Sequence, residues 1–62
     1  MKQPIDIIKY WLDVVQTEGK NLSSWEENFV ESLREQLGQY GKISDRQEEI
    51  LETIYANKTP LN

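Results

Sequence analysis

A chain of 62 residues with no cysteine and no histidine has no disulfide to staple it, no thiolate zinc site and no imidazole for acid–base work. Eleven acidic residues against seven basic ones give a formal net charge of −4. The basic residues (Lys2, Lys9, Lys20, Arg34, Lys42, Arg46 and Lys58) are scattered, so no tract is built to release phosphate counterions along a bare duplex.

Such a chain makes one domain, residues 1–62, near the lower size limit for unaided folding. Its net stability is expected to be roughly 3–5 kcal/mol, supplied by packing apolar faces. The N-terminal Met1-Lys2-Gln3-Pro4 is not followed by an apolar leader, and no apolar run is long enough to span a bilayer, so a cytoplasmic location without membrane contact is expected.

The first helix is predicted over about residues 4–18. Pro4 suits a first helical turn, where its missing N–H costs nothing. Ile5, Ile8, Leu12 and Val15 recur at helical spacing, Ile7, Trp11 and Val14 widen that stripe, and Asp6, Lys9 and Asp13 face outward. Gly19 is expected to end the helix in a left-handed conformation.

The second helix, about residues 24–38, has a capping box at its start. Ser23 with Glu26 fits the reciprocal pattern, and Ser24 with Glu27 fits it equally well. Trp25, Phe29, Leu33 and Leu37 are expected on one face, with Val30 and Tyr40 at its edges. Gly38 and Gly41 offer two stopping points. The third helix, about residues 45–56, repeats the device with Ser44 and Gln47. Ile50, Leu51, Ile54 and Tyr55 form its stripe, Asn57 can close it and Pro60 prevents continuation. The fold class is therefore all-α: a small three-helix domain with short glycine-bearing turns, neighbouring helices antiparallel. Trp11, Trp25 and Phe29 are its expected bulky core members, and Trp25, Phe29, Leu33, Ile50 and Ile54 are expected to share one core.

Carboxylates are the abundant reactive groups. Glu27, Glu31 and Glu35 stand at four-residue spacing on the second helix, and their plain reading is a solvated acidic face. Hard-cation sites need ligands converging from more than one element, so no metal, cofactor or catalytic residue is expected. Like charges at this spacing cost a helix about 0.2–0.5 kcal/mol per pair, and a row kept despite that cost can dock a basic partner. Lys42 and Arg46 make the one local basic spot, beside a helix N-terminus where a weak anion contact is favoured. Tyr40, next to Gly41, can anchor a partner. A DNA-reading helix-turn-helix is disfavoured, because the connection from Gly38 to Ile43 is too long and Asp45, Glu48, Glu49 and Glu52 would meet phosphates with the wrong sign.

Two segments carry a resemblance: Leu22-Ser23-Ser24-Trp25-Glu26-Glu27-Asn28-Phe29-Val30-Glu31-Ser32-Leu33, and Gly41 through Tyr55 with its Ser44-x-x-Gln47 cap, Leu51 and Ile54. The pattern resembles a short helical module of phage and bacterial DNA-processing proteins, and specifically the small helical protein linked to the phage recombination helicase UvsW. It covers about two thirds of the chain, and the first helix lies outside it. The resemblance implies a non-enzymatic accessory protein acting beside a helicase in DNA recombination, repair or replication, with any nucleic-acid contact weak or indirect. The alternative is a small acidic phage-type inhibitor that occludes a host nucleic-acid-handling enzyme. The expected partner-binding residues are Glu27, Glu31, Glu35, Tyr40, Lys42 and Arg46.

Overall fold

Each helix begins where its orphan N–H groups find acceptors. In this computed structural model, which describes residues 1–59, the helices are α1 (Ile5–Glu18), α2 (Ser24–Tyr40) and α3 (Asp45–Lys58), with no strand among the described residues. The Pro4 carbonyl accepts from the N–H groups of Ile7 and Ile8 at 3.0 and 3.2 Å and opens α1. Ser23 resolves the register of α2: its Oγ accepts from the Glu26 N–H at 3.2 Å, and Glu26 Oε1 accepts from the Ser23 N–H at 2.8 Å. Ser44 and Gln47 form the same reciprocal pair at the start of α3, at 3.1 and 2.8 Å.

The helix ends correct three expectations. Gly19 is extended (φ −65°, ψ 139°), not left-handed; the positive φ falls on Asn21 at 59°. Gly19 is needed for space, because a Cβ there would collide with the Val15 carbonyl oxygen. Gly38 does not stop α2, since a glycine inside a helix costs only about 1 kcal/mol. The chain runs on to Tyr40 and leaves through Gly41, which is left-handed at φ 73° with its N–H on Leu37 O at 2.8 Å. Asn57 stays inside α3, whose cap is Thr59. Pro60, expected to block continuation, lies outside the described residues.

The topology is up-down-up. The Lys20 N–H donates to Lys58 O at 2.8 Å, and the Lys2 and Gln3 N–H groups donate to the Glu48 carboxylate at 2.5 and 3.0 Å. Starts and ends of α1 and α3 therefore coincide, and these two helices run parallel. Helix α2 runs against both: Arg34 reaches Asp13 and Gln16 of α1, while Gln36 and Gln47 exchange amide hydrogen bonds at 3.2 and 3.0 Å. Helices α1 and α3 make the most close backbone approaches, and α2 and α3 make the fewest.

The core consists of Ile8, Leu12, Val15, Val30, Leu33, Leu37, Ile43, Leu51 and Ile54, each 4% exposed or less. Leu33 and Ile54 thus meet the expectation of a shared core. Phe29, Ile50 and Trp11 pack against it half-buried, Ile7 is exposed, and Trp25 is 59% exposed. The displaced tryptophan has a geometric cause. At 3.6 residues per turn, a row of steps of four drifts by about 40° per step, so Trp25, Phe29, Leu33 and Leu37 wind around the helix. The residues that stay on one face are Val30, Leu33 and Leu37.

Candidate functional site

Helix α2 presents two unlike flanks. On one, Glu27 and Glu31 toward α1 and Glu35 further round the helix are all exposed, and none forms an ion pair among the described residues. The single cation of α2, Arg34, is turned away from them. Its Nε donates to Gln16 Oε1 at 2.6 Å and its Nη2 pairs with Asp13. The drift of the four-residue row carries Glu35 outward, while Glu27 and Glu31 stay against α1. There they rim an open cleft of about 470 Å³ whose apolar wall is Leu22 and Val30. Among the described residues, no three acidic side chains converge as a metal cage would require.

Glu26, one residue before the row, is fully engaged. The Ser23 N–H hydrogen bond, and after it the charge of Lys58 at 3.6 Å, hold its carboxyl below the usual range against partial desolvation. The acidic flank is thus built from carboxylates that the fold does not use.

The basic spot is less free than its sequence suggests. Lys42 is exposed in the four-residue turn 41–44, and the Arg46 side chain is 81% exposed with its guanidinium 3.9 Å from Glu49. The start of α3 is already covered. Asp45 takes the Met1 amino group at 2.7 Å, which holds its carboxyl below the usual range, and the Lys2–Gln3 backbone lies on Glu48. Tyr40 is 66% exposed at the far end of α2, away from Glu27 and Glu31. The structure therefore brings together Glu27 with Glu31, and Arg46 with Glu49, but it does not gather the six sequence-selected residues into one site.

The turn 41–44 also removes one objection to a helix-turn-helix, because its length lies within the usual range. The charge objection stands: Asp45, Glu49 and Glu52 are exposed along α3. Glu48 is the exception, 3% exposed and structural.

The other flank of α2 was hidden to sequence reasoning. Trp25 stacks flat on Phe29, with ring centroids 5.3 Å apart at 9°. Their stack overhangs a groove of about 370 Å³ in the α2–α3 seam, with Ile54 and Ile50 as its apolar wall and Arg46 and Glu49 at its edge. The sequence held a partial signal: Val30, Leu33 and Leu37 form a row that Trp25 cannot join, beside the competing row of fours through Trp25 and Phe29. A second aromatic group lies on the α1–α3 side, where Tyr55 stacks on Trp11 at 5.7 Å and meets Tyr10 edge-on at 6.3 Å. Desolvation first, and then Tyr10, pushes the Tyr55 hydroxyl above its usual range.

Compared with family models, with curated proteins and with solved structures, the chain matches none. Of the residues that carry the helicase-linked resemblance, Ser23, Ser44 and Gln47 fold as caps and Val30, Leu33, Leu51 and Ile54 as core, positions that specify a fold more than a role, whereas Trp25 is exposed and Phe29 half-buried. No helix among the described residues is long and apolar enough to cross a membrane.

Proposed function

We propose that this chain acts by binding rather than catalysis, and that the α1-facing flank of α2 docks a basic surface of a protein partner. The observation that carries this reading is the row Glu27, Glu31 and Glu35: exposed, without an ion pair among the described residues, and held on a helix clamped to both neighbours. A rigid row of uncompensated charge speeds encounter with a basic partner and fixes its register. The cleft beside Glu27 and Glu31 adds a place where the aliphatic stem of a lysine or arginine can lie on Leu22 and Val30. The sequence resemblance supports a helicase or another DNA-processing protein as that partner, with the chain as its accessory.

The test is capture and release. A partner retained on the immobilised chain should dissociate as salt rises, and the triple variant Glu27→Lys, Glu31→Lys, Glu35→Lys should lose it while keeping its helical content. Direct DNA binding behaves in the opposite way: the triple variant strengthens it, and Lys42→Glu with Arg46→Glu removes it. Partner binding indifferent to the acidic row, together with DNA binding that needs Lys42 and Arg46, would overturn the proposal.

A further inference from the structure

We infer that the α2–α3 seam is a self-association surface, on which a second copy of this chain packs against the Trp25 groove about a twofold axis. The inference is independent of the acidic flank, which lies on the opposite side of α2.

Three observations meet at this seam. First, its two helices make the fewest close backbone approaches of the three pairs, and it leaves Trp25 59% exposed and stacked on Phe29. Tryptophan is enriched among the residues that dominate interface energies, because it brings a large apolar area at little conformational cost. Second, the groove that Trp25 lines has an apolar wall of half-buried Ile50 and the edge of the core residue Ile54.

The third observation selects the occupant. In a chain of net charge −4, the overall charge opposes the approach of a second copy. At this groove each anion is met by a cation. Glu26 lies 3.6 Å from Lys58, and Glu49 lies 3.6 Å from Lys2 and 3.9 Å from Arg46, which stands one turn before it at the edge. Twofold pairing makes each contact twice, with residue i on j and j on i. An edge that carries one cation and one anion is then complementary to itself: Arg46 of one protomer faces Glu49 of the other, and the reverse. Their pairing within one chain is long, at 3.9 Å, both side chains are well exposed (81% and 54%), and Glu49 keeps Lys2 at 3.6 Å, so little is lost by exchanging the Arg46 pairing for contacts between protomers. The unpaired row Glu27, Glu31 and Glu35 stays on the far flank, away from the contact.

The molecule measures 28 × 23 × 18 Å, so one seam supplies an interface at the small end of specific contacts, below about 1,200 Å² in total. Association is therefore expected to be reversible, over roughly 10 µM to 1 mM. Sedimentation equilibrium over that range tests it with three single variants: Trp25→Ala, Arg46→Glu and Glu49→Arg. The parent should pass from monomer to dimer. Each charge reversal sets like charges opposite each other twice and should weaken the dimer at least roughly tenfold. An equimolar mixture of Arg46→Glu with Glu49→Arg should recover it, because both contacts are then again between opposite charges. Trp25→Ala should also weaken it, with far-UV circular dichroism confirming an unchanged fold. A parent that stays monomeric, which leaves the groove to a different protein, overturns the inference. So does a dimer indifferent to all three variants, which places the contact elsewhere, and so does a mixture that remains monomeric.

Discussion

Replacing Leu33 by alanine tests how α2 is seated, and its cost can be worked from burial. Leu33 is 1% exposed and lies between Val30 and Leu37 on the face that meets both other helices. Removing a fully buried leucine side chain loses its transfer free energy and leaves a cavity, together about 2–5 kcal/mol. A domain of this size holds only roughly 3–5 kcal/mol in total, so Leu33→Ala should be substantially unfolded even without denaturant. Trp25→Ala supplies the contrast. The indole is 59% exposed, and what it loses is the stack on Phe29 and part of its own burial, about 1–2 kcal/mol. Phe29, half-buried, should fall between the two. Urea denaturation followed by far-UV circular dichroism measures all three, at concentrations low enough to keep the chain monomeric. If Trp25→Ala proves as costly as Leu33→Ala, the tryptophan belongs to the core and the seating of α2 described above is wrong.

The fold makes four further predictions. Glu48→Gln should cost about 1.5–3 kcal/mol, because the buried carboxylate accepts from both the Lys2 and Gln3 N–H groups; an unchanged urea midpoint would refute its structural role. Gly38→Ala should raise the melting temperature, since a Cβ meets nothing within 4 Å and helix interiors favour alanine by about 1 kcal/mol. Gly41→Ala should lower it by an equivalent of about 1–2 kcal/mol despite equally open space, because φ is 73° there. The carboxyls of Glu26 and Asp45 are held below their usual range in the fold, so the unfolded chain binds protons more readily. Their contribution is present at neutral pH and is lost as pH falls through and below the ordinary carboxylate range. Glu26→Gln and Asp45→Asn should each flatten that part of the stability profile, and a profile unchanged by either would contradict the assignment.

What was legible in the sequence is what local chemistry decides. Both capping boxes involve residues three apart, so Ser44 with Gln47 could be read without knowing the neighbours, and the start of α2 could be read to within one residue, as Ser23 with Glu26 or Ser24 with Glu27. The stripe Ile8, Leu12 and Val15 was legible for the same reason. The seating of α2 was not, because its apolar residues define two overlapping rows and only the neighbouring helices choose between them. Steps of four through Trp25 and Phe29 form one row, and Val30, Leu33 and Leu37 form the other. The end of α2 failed in a related way: Gly38 and Gly41 are equally good stops by composition, and the hydrogen bond from Gly41 to Leu37 decides. The acidic row was visible as spacing. That its charges are unpaired depends on Arg34 reaching across to Asp13, a contact between residues 21 apart.

The two proposed surfaces make a joint prediction that neither makes alone. A dimer joined through Arg46 and Glu49 carries its acidic rows on outer flanks, so it offers two docking faces to a partner that repeats or is held in an array. Linking two weak sites raises apparent affinity without any new contact. Arg46→Glu separates the effects, because it removes a cation and adds an anion to each copy while leaving Glu27, Glu31 and Glu35 in place. On charge alone it should strengthen association with a basic partner. Against soluble, monovalent partner it should therefore bind at least as well as the parent. Against the same partner immobilised at high density it should bind more weakly and leave faster, because the second attachment is gone. Stronger binding in both formats would mean that charge acts without dimerisation, and weaker binding in both would mean that Arg46 itself touches the partner.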